Sequence, residues 1–252
     1  MEEKKQKELL IIIPAYNEEK NIGDTLDSLE AAGIREWADI LVMNDASKDR
    51  TEEIARQKNC QVVTHVYNLG YGSGLQIGYK YAVRKGYEYV IQMDADGQHA
   101  VSNVKKIYDR LQREDGEGKR PDIVLGSRFV EGSETYPVSL VKKIAYSFFR
   151  MLIRLGTGRK IKDPTTGLQG LNKRAFSYYA EYTHFDDQYP DANMIMQMLL
   201  LGYHVDEMPA LMFARQEGVS MHHGIVKPLI YMFRMMYSII AVWMRIKVFK
   251  KV

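Results

Sequence analysis

The chain has 252 residues, 46% of them hydrophobic and 27% charged, which suits one large domain with a short appendage and ample core material. Its formal net charge of +3 is too mild for a nucleic-acid binder, and a single cysteine, Cys60, excludes an internal disulfide. Cys60 opens a predicted strand and reads as a buried, inert thiol compatible with a reducing compartment.

Residues 1–8 form a charged, solvated tail ahead of a five-residue apolar run. That run is too short for a leader peptide, so the cytoplasm is the expected compartment. Leu9 to Ile13 predicts a buried strand ended by Pro14. Asn21 to Ala32 predicts a helix with Ile22, Leu26 and Leu29 on one face. A strand follows at Ile40 to Met43. Asp49 and Glu52 then have capping-box spacing ahead of a helix through Ile54 and Ala55. Gln61 to Thr64 predicts a strand, Gly74 to Lys85 a helix, Tyr89 to Met93 a strand, Val104 to Leu111 a helix and Ile123 to Leu125 a strand. This alternation predicts an α/β fold built on a doubly wound, mostly parallel sheet, with ligands bound beyond the carboxyl ends of its strands. Beyond residue 125 the chain is more helical: an apolar stretch at Val138 to Leu155, a Met-rich helix at Asp191 to Leu201, a late strand at Val205 to Met208 and a long helix from Pro228.

Chemistry concentrates where those strands end. In Met93-Asp94-Ala95-Asp96-Gly97-Gln98-His99, residues two apart on an extended segment point the same way, so Asp94 and Asp96 can converge. Two hard carboxylates suit Mg²⁺ or Mn²⁺, and Gln98 or His99 can add a ligand. Asp-x-Asp alone also occurs in surface turns; the neighbouring acid-bearing loops give it weight. The loop after the first strand carries Pro14, Tyr16, Asn17 and Glu18, and the loop after the second carries Asp45 and Asp49. These side chains can hold a nucleobase and ribose, with Tyr16 stacking on the base. Helix-terminal roles compete for Asn17 and Glu18, capping is preferred for Asp49, and an Asx-turn competes evenly with binding for Asp45. The glycine-rich Asn68 to Gly78 segment can approach a phosphate, although close helix–sheet packing better accounts for Gly74 and Gly78.

Six stretches in order carry a resemblance: Ile13 to Glu18, Asn44 to Thr51, Asn68 to Gly72, Met93 to His99, Gly126-Ser127-Arg128-Phe129, and Asp163-Pro164-Thr165-Thr166-Gly167-Leu168. Together they resemble family 2 of the glycosyltransferases, especially its polyprenyl-phosphate, dolichyl-phosphate mannose synthase-like branch, over residues 9 to 222. The resemblance implies an A-type glycosyltransferase fold, a nucleotide-sugar donor (UDP favoured, GDP open) and a polyprenyl-phosphate acceptor. It implies that Pro14, Tyr16, Glu18 and Asp45 line the nucleotide pocket and that Asp94 lies by the ribose or donor phosphate. Asp96 and Gln98 would hold the metal, Arg128 would meet a phosphate, and Arg215 would belong to a loop closing over the donor diphosphate. Asn44 stands where aspartate is common, and Ala100 where proline is usual.

The implied reaction is a single inverting displacement, with the departing diphosphate stabilised by a divalent cation. A sugar-hydroxyl acceptor would need a general base; a phosphate acceptor, largely dianionic at pH 7, would not. Asp191 is the base candidate, with helix capping as the competing role. Transfer to a sugar hydroxyl of a lipid-linked or cell-wall glycan, and a non-catalytic nucleotide-sugar-binding subunit, are the alternatives.

Residues 223–252 form the C-terminal extension beyond the catalytic domain. On that helix Lys227, Arg234, Ser238 and Arg245 fall in one narrow stripe with apolar residues elsewhere. Its longest uncharged run is too short to span a bilayer. The pattern predicts an amphipathic helix on anionic lipid at the inner face of the cell membrane, or docked on a partner, with packing on the domain itself as the competing role. Polyprenyl-phosphate relatives often carry two spans after this point, so a small membrane-protein partner is expected to supply the anchor.

Overall fold

The computed structural model describes residues 7–136, 140–214 and 226–250. Seven strands form one sheet: β1 (Leu9–Ala15), β2 (Ala38–Asn44), β3 (Gln61–Thr64), β4 (Tyr89–Gln92), β5 (Ile123–Ser127), β6 (Gln169–Asn172) and β7 (Val205–Pro209). Their order is β3-β2-β1-β4-β6-β5-β7. All pairings are parallel except the two made by β6, which runs antiparallel to β4 and β5. The expected mostly parallel sheet is present, and β6 is the strand the sequence reading lacked.

The sheet is covered on both faces, which is why β1 is apolar at successive positions. Leu10 and Ile12 join one core cluster, and Leu9, Ile11 and Ile13 join the other. Helices α1 (Ile22–Ala31), α2 (Thr51–Gln57) and α4 (Ser102–Gln112) flank the second face, α1 through Ile22, Leu26 and Leu29 and α4 through Val104, Ile107 and Leu111. The first face receives α3 (Tyr71–Lys85), α5 (Leu140–Thr157), α6 (Lys173–Ala180), α7 (Ala192–Leu200) and α8 (Val226–Trp243). Helix α3 begins three residues earlier than the periodicity indicates. It lies close on β1 because residue 78 is glycine: a Cβ there would stand 2.8 Å from Ile12 Cγ2. At Gly74 a Cβ would meet only an ordinary contact, so packing does not demand that glycine.

The capping box is half formed. Asp49 accepts from the Thr51 amide at 3.0 Å, whereas Glu52 turns away to Asn44 and Arg56.

Helix α7 is buried along most of its length and seats α8. Met235 and Ile239 of α8 are buried in the same cluster as α7. The polar stripe expected to face lipid headgroups instead forms the seam with the α7 segment. Arg234 donates to Gln188 Oε1 at 3.1 Å, Ser238 Oγ lies 2.9 Å from Asn193 Nδ2, and Arg245 bonds Gln197. The side chain of Lys227 lies outside the described residues. Periodicity identifies residues that share a face; here α7 offered that face amide partners. A different stripe of α8 is left outward, formed by Ile230, Phe233, Tyr237 and Ile240 and continued by Met244 just beyond its end.

Candidate active site

The carboxyl ends of β1, β2 and β4 lie side by side in the sheet, and their loops are laced together. Asn17, with φ 54°, accepts from the Lys48 amide through Oδ1 at 2.8 Å, a left-handed conformation that asparagine tolerates. The Asn17 amide donates to Ser47 Oγ at 3.0 Å and that of Glu18 to Thr51 Oγ1 at 2.8 Å. Neither Asn17 nor Glu18 caps α1; Glu18 Oε2 accepts from Asn21 Nδ2 at 2.7 Å. Tyr16 is exposed, and Pro14 and Glu18 are half-buried.

Asp45 is buried and its carboxylate is committed within the chain. Oδ1 meets His65 Nδ1 and the Leu69 amide, both at 2.8 Å, and Oδ2 accepts from the Gly70 amide at 2.9 Å. It holds the loop that leads into α3. Asn44 is likewise structural: Nδ2 reaches Glu52 and Thr64, and Oδ1 accepts from the Ser47 amide.

Asp94 and Asp96 follow β4 directly, and both are half-buried. Asp94 is fixed from two sides, accepting from Tyr71 Oη at 2.9 Å and meeting His99 Nε2 at 3.2 Å. Gly167 makes room for it: a Cβ there would stand 2.5 Å from Asp94 Oδ2. The loop is stapled to the chain beyond β7, where Phe213 donates to Gln98 O at 2.7 Å and Gln98 Nε2 donates to Phe213 O at 3.2 Å. Thr25 Oγ1 donates to Ala95 O at 3.1 Å, and Asp96 Oδ1 accepts from the Gln98 amide at 3.1 Å.

Among the described residues no group of three or more His, Cys, Asp or Glu is arranged to hold a metal by itself. The donor set nevertheless fits a hard divalent ion. It offers two carboxylates, and the amide of Gln98, anchored through Nε2, presents Oε1 as a third oxygen. Mg²⁺ characteristically takes one or two carboxylates and completes its shell with substrate phosphate and water. His99 faces Asp94, so it orients that carboxylate; its Nδ1 is buried without a hydrogen-bond partner.

Asp191 stands at the start of α7, yet its side chain makes no cap bond. Oδ2 accepts instead from Tyr231 Oη of α8 at 2.6 Å. Burial pushes its carboxyl up to about 6, with Asp94 and Asp186 adding to the rise while the Tyr231 bond and Arg128 oppose it. Asp94 and Asp191 therefore share one electrostatic neighbourhood. Tyr71 belongs to it too: burial, Asp94 and Asp191 together hold its phenol well above the usual range.

Arg128 was expected to meet a phosphate, and its fork is occupied. Nε and Nη2 grip Asp163 at 2.8 and 2.6 Å, the backbone amide donates to the same carboxylate at 2.8 Å, and Nη2 also reaches Thr165 Oγ1 at 2.9 Å. Asp163 is fully buried. Burial alone would lower the guanidinium's pKa, but the Asp163 pair overrides it and the net shift is upward. Nη1 has a single long contact, 3.3 Å to Tyr146 Oη. Nearby, Arg150 of α5 lies 4.4 Å over the Phe129 ring, its Nε buried and without a hydrogen-bond partner among the described residues. Arg215 lies outside the described residues. Tyr71, Gly167 and Tyr231 were missed as site residues. The Asn68–Gly72 and Asp163–Leu168 stretches signalled two of them, and nothing signalled Tyr231.

An uncharacterised protein of Methanocaldococcus jannaschii is 35% identical over 69% of this chain and 66% of its own length. The UDP-N-acetylglucosamine–dolichyl-phosphate N-acetylglucosaminyltransferase of Methanococcus voltae is 29% identical over 69% of this chain and 72% of its own. The chain thus spans about two thirds of the length of these relatives. The fold is that of glucosyl-3-phosphoglycerate synthase from Mycobacterium tuberculosis, crystallised with Mn²⁺, UDP and phosphoglyceric acid. The TM-score is 0.69 at 17% identity, over 94% of this chain and 78% of that one. The family described as glycosyl transferase family 2 matches residues 10–179, and with strands β1 to β6 and the Asp94–Asp96 loop inside that match, the chain is a family 2 glycosyltransferase.

Proposed function

We propose that this protein transfers a hexose or N-acetylhexosamine, with inversion, from a nucleoside-diphosphate sugar to a polyprenyl phosphate at a membrane surface. The observation that carries the reading is the Asp94–Asp96 pair at the end of β4, held by Tyr71 and His99 and sharing its field with Asp191. The acceptor class is supported by the dolichyl-phosphate relative, and the UDP preference by that same relative's donor.

In this reading Pro14, Tyr16 and Glu18 form the rim that takes the base and ribose, while Asp45 shapes the pocket by holding the Leu69–Gly70 loop. Asp94, Asp96 and Gln98 hold Mg²⁺ or Mn²⁺, whose chemistry there is to neutralise charge building on the departing diphosphate. In the fraction of acceptor phosphate that is still monoprotonated, Asp191 accepts the last proton. A phosphate monoester has a second pKa of about 6, close to the value to which Asp191 is pushed, so transfer of that last proton is near balance. Arg128 anchors the Asp163–Thr165 loop, with a donor to spare at Nη1. Arg150, whose Nε lacks a partner among the described residues, is the cation proposed for the acceptor phosphate. Arg215 remains proposed for the donor diphosphate.

The exposed stripe of α8 supports docking on anionic lipid. Neither α5 nor α8 contains an acidic residue, and Lys142, Lys143, Arg154, Lys247 and Lys250 are exposed around them. No helix among the described residues is long and apolar enough to cross a membrane. Our reading is a peripheral position at the cytoplasmic face, supported by that exposed stripe and the basic residues around it.

The poised Asp191 also favours a second reading, transfer to a sugar hydroxyl, which needs such a base. A panel of nucleotide sugars read by nucleoside-diphosphate release, with Mn²⁺ or Mg²⁺ and undecaprenyl phosphate, tests both. The first predicts an acid-labile phosphosugar and its loss in Asp96→Ala. An acid-stable product on a glycan acceptor supports the second, and donor binding without turnover marks a non-catalytic subunit.

A further inference from the structure

We propose that Tyr231 is a positioning residue for Asp191, and that through it α8 couples its exposed apolar face to the acceptor side of the active site. This rests on the assignment of Asp191 as proton acceptor. Two faces of one helix carry the argument. Inward, Tyr231 Oη reaches Asp191 Oδ2 at 2.6 Å, and Arg234, Ser238 and Arg245 tie the same helix to Gln188, Asn193 and Gln197. Asn193 in turn accepts from the Asp191 amide at 2.9 Å and donates to Asp186 at 2.7 Å. Outward, Ile230, Phe233, Tyr237 and Ile240 are exposed. A helix that seats on lipid by one face therefore holds the start of α7 by the other.

Asp191 has no side-chain bond to its own helix, so its orientation depends on what α8 offers. The charged and titratable groups around it are Tyr231 of α8, Asp94 after β4, Asp186 before α7, Arg128 after β5 and Tyr71 of α3. Of these, Tyr231 is the group whose hydrogen bond to the carboxylate the structure shows, and it favours the charged form.

The test is Tyr231→Phe in the full chain, compared with Asp191→Asn. Tyr231→Phe keeps the ring in the core but leaves a buried carboxylate one donor short, so the expected result is a folded protein that melts a few degrees lower, with wild-type vesicle binding and donor KM. Turnover should fall about tenfold or more, the acid limb of the kcat profile should move to higher pH, and stimulation by phosphatidylglycerol vesicles should be lost. If Asp191→Asn abolishes turnover while Tyr231→Phe keeps wild-type kcat, acid limb and vesicle stimulation, the coupling is overturned and the role of Asp191 stands. If Asp191→Asn turns over normally, the assignment of Asp191 fails and the coupling falls with it.

Discussion

Gly167→Ala separates the active-site geometry from the stability of the fold. A methyl group at 167 would stand 2.5 Å from Asp94 Oδ2 and 3.1 Å from both Cγ and Oδ1. Ordinary nonbonded contact begins near roughly 3.5 Å, so the carboxylate must retreat by about 1 Å. It cannot do so freely, because Tyr71 and His99 hold its two oxygens. Displacements of about 1 Å at a reacting centre cost on the order of 100-fold in rate, or about 2.7 kcal/mol. The backbone is indifferent: Gly167 is not among the residues with positive φ, and alanine reduces unfolded-chain entropy by about 0.4–1 kcal/mol, offsetting part of the local overlap. The expected outcome is kcat/KM down about 100-fold, weaker Mn²⁺-dependent nucleoside-diphosphate binding by calorimetry, and a melting temperature within a few degrees of wild type. Wild-type kcat/KM and metal-dependent binding in a folded Gly167→Ala protein would refute the placement of Asp94 at the donor.

Arg128→Ala leaves Asp163 buried and uncompensated, so urea unfolding should show a loss of about 3–5 kcal/mol. Arg128→Lys should lose nearly as much, since lysine cannot reproduce the fork; a stable but inactive Arg128→Ala would instead mark a substrate ligand. Asp191→Asn should stabilise the fold at neutral pH. A carboxyl raised from 3.8 to about 6 binds more protons folded than unfolded, so stability falls as pH rises through that window. Removing the charge should return no more than about 3 kcal/mol at pH 7–8 and nothing at pH 3, read by thermal melts across pH. Phe233→Glu with Ile240→Glu leaves the inward face of α8 intact. It should cut partition onto phosphatidylglycerol vesicles by at least about tenfold with unchanged melting. Unchanged flotation would point to a protein partner on that face.

The parallel half of the sheet was legible because each strand is apolar on both faces and each helix keeps its own period. Strand β6 was not. Gln169-Gly170-Leu171-Asn172 has one large apolar side chain, and its glycine is there because α4 lies against it: a Cβ would stand 2.2 Å from Ile107 Cγ2. The carboxylates of the β4 loop stood out through their spacing together with the acid-bearing loops beside them, but the commitments of neighbouring groups could not be read. Asp45 and Arg128 carry the right chemistry at strand ends, and tertiary partners far along the chain claim them. The polar stripe of α8 shows the same limit, since spacing groups Arg234, Ser238 and Arg245 without saying that α7 faces them.

Charge balance ties these observations to the reaction. Asp94, Asp186 and Asp191 make the start of α7 acidic, and the charge of Arg128, which opposes the rise there, is paired with Asp163. A donor diphosphate and an acceptor phosphate would each bring further negative charge into that field. Two like-charged phosphates cannot approach there unless cations are supplied where the transferring group sits. In the proposed reaction the oxygen donors of Asp94, Asp96 and Gln98 would take a divalent ion on the donor side, and Arg150, whose Nε has no hydrogen-bond partner among the described residues, is the cation proposed for the acceptor. The rise of Asp191 comes first from burial, and Asp94 and Asp186 add to it, so the carboxyl ionises late. In the proposed reaction the acids that demand a cation beside the phosphates thus also help to poise Asp191 as the base.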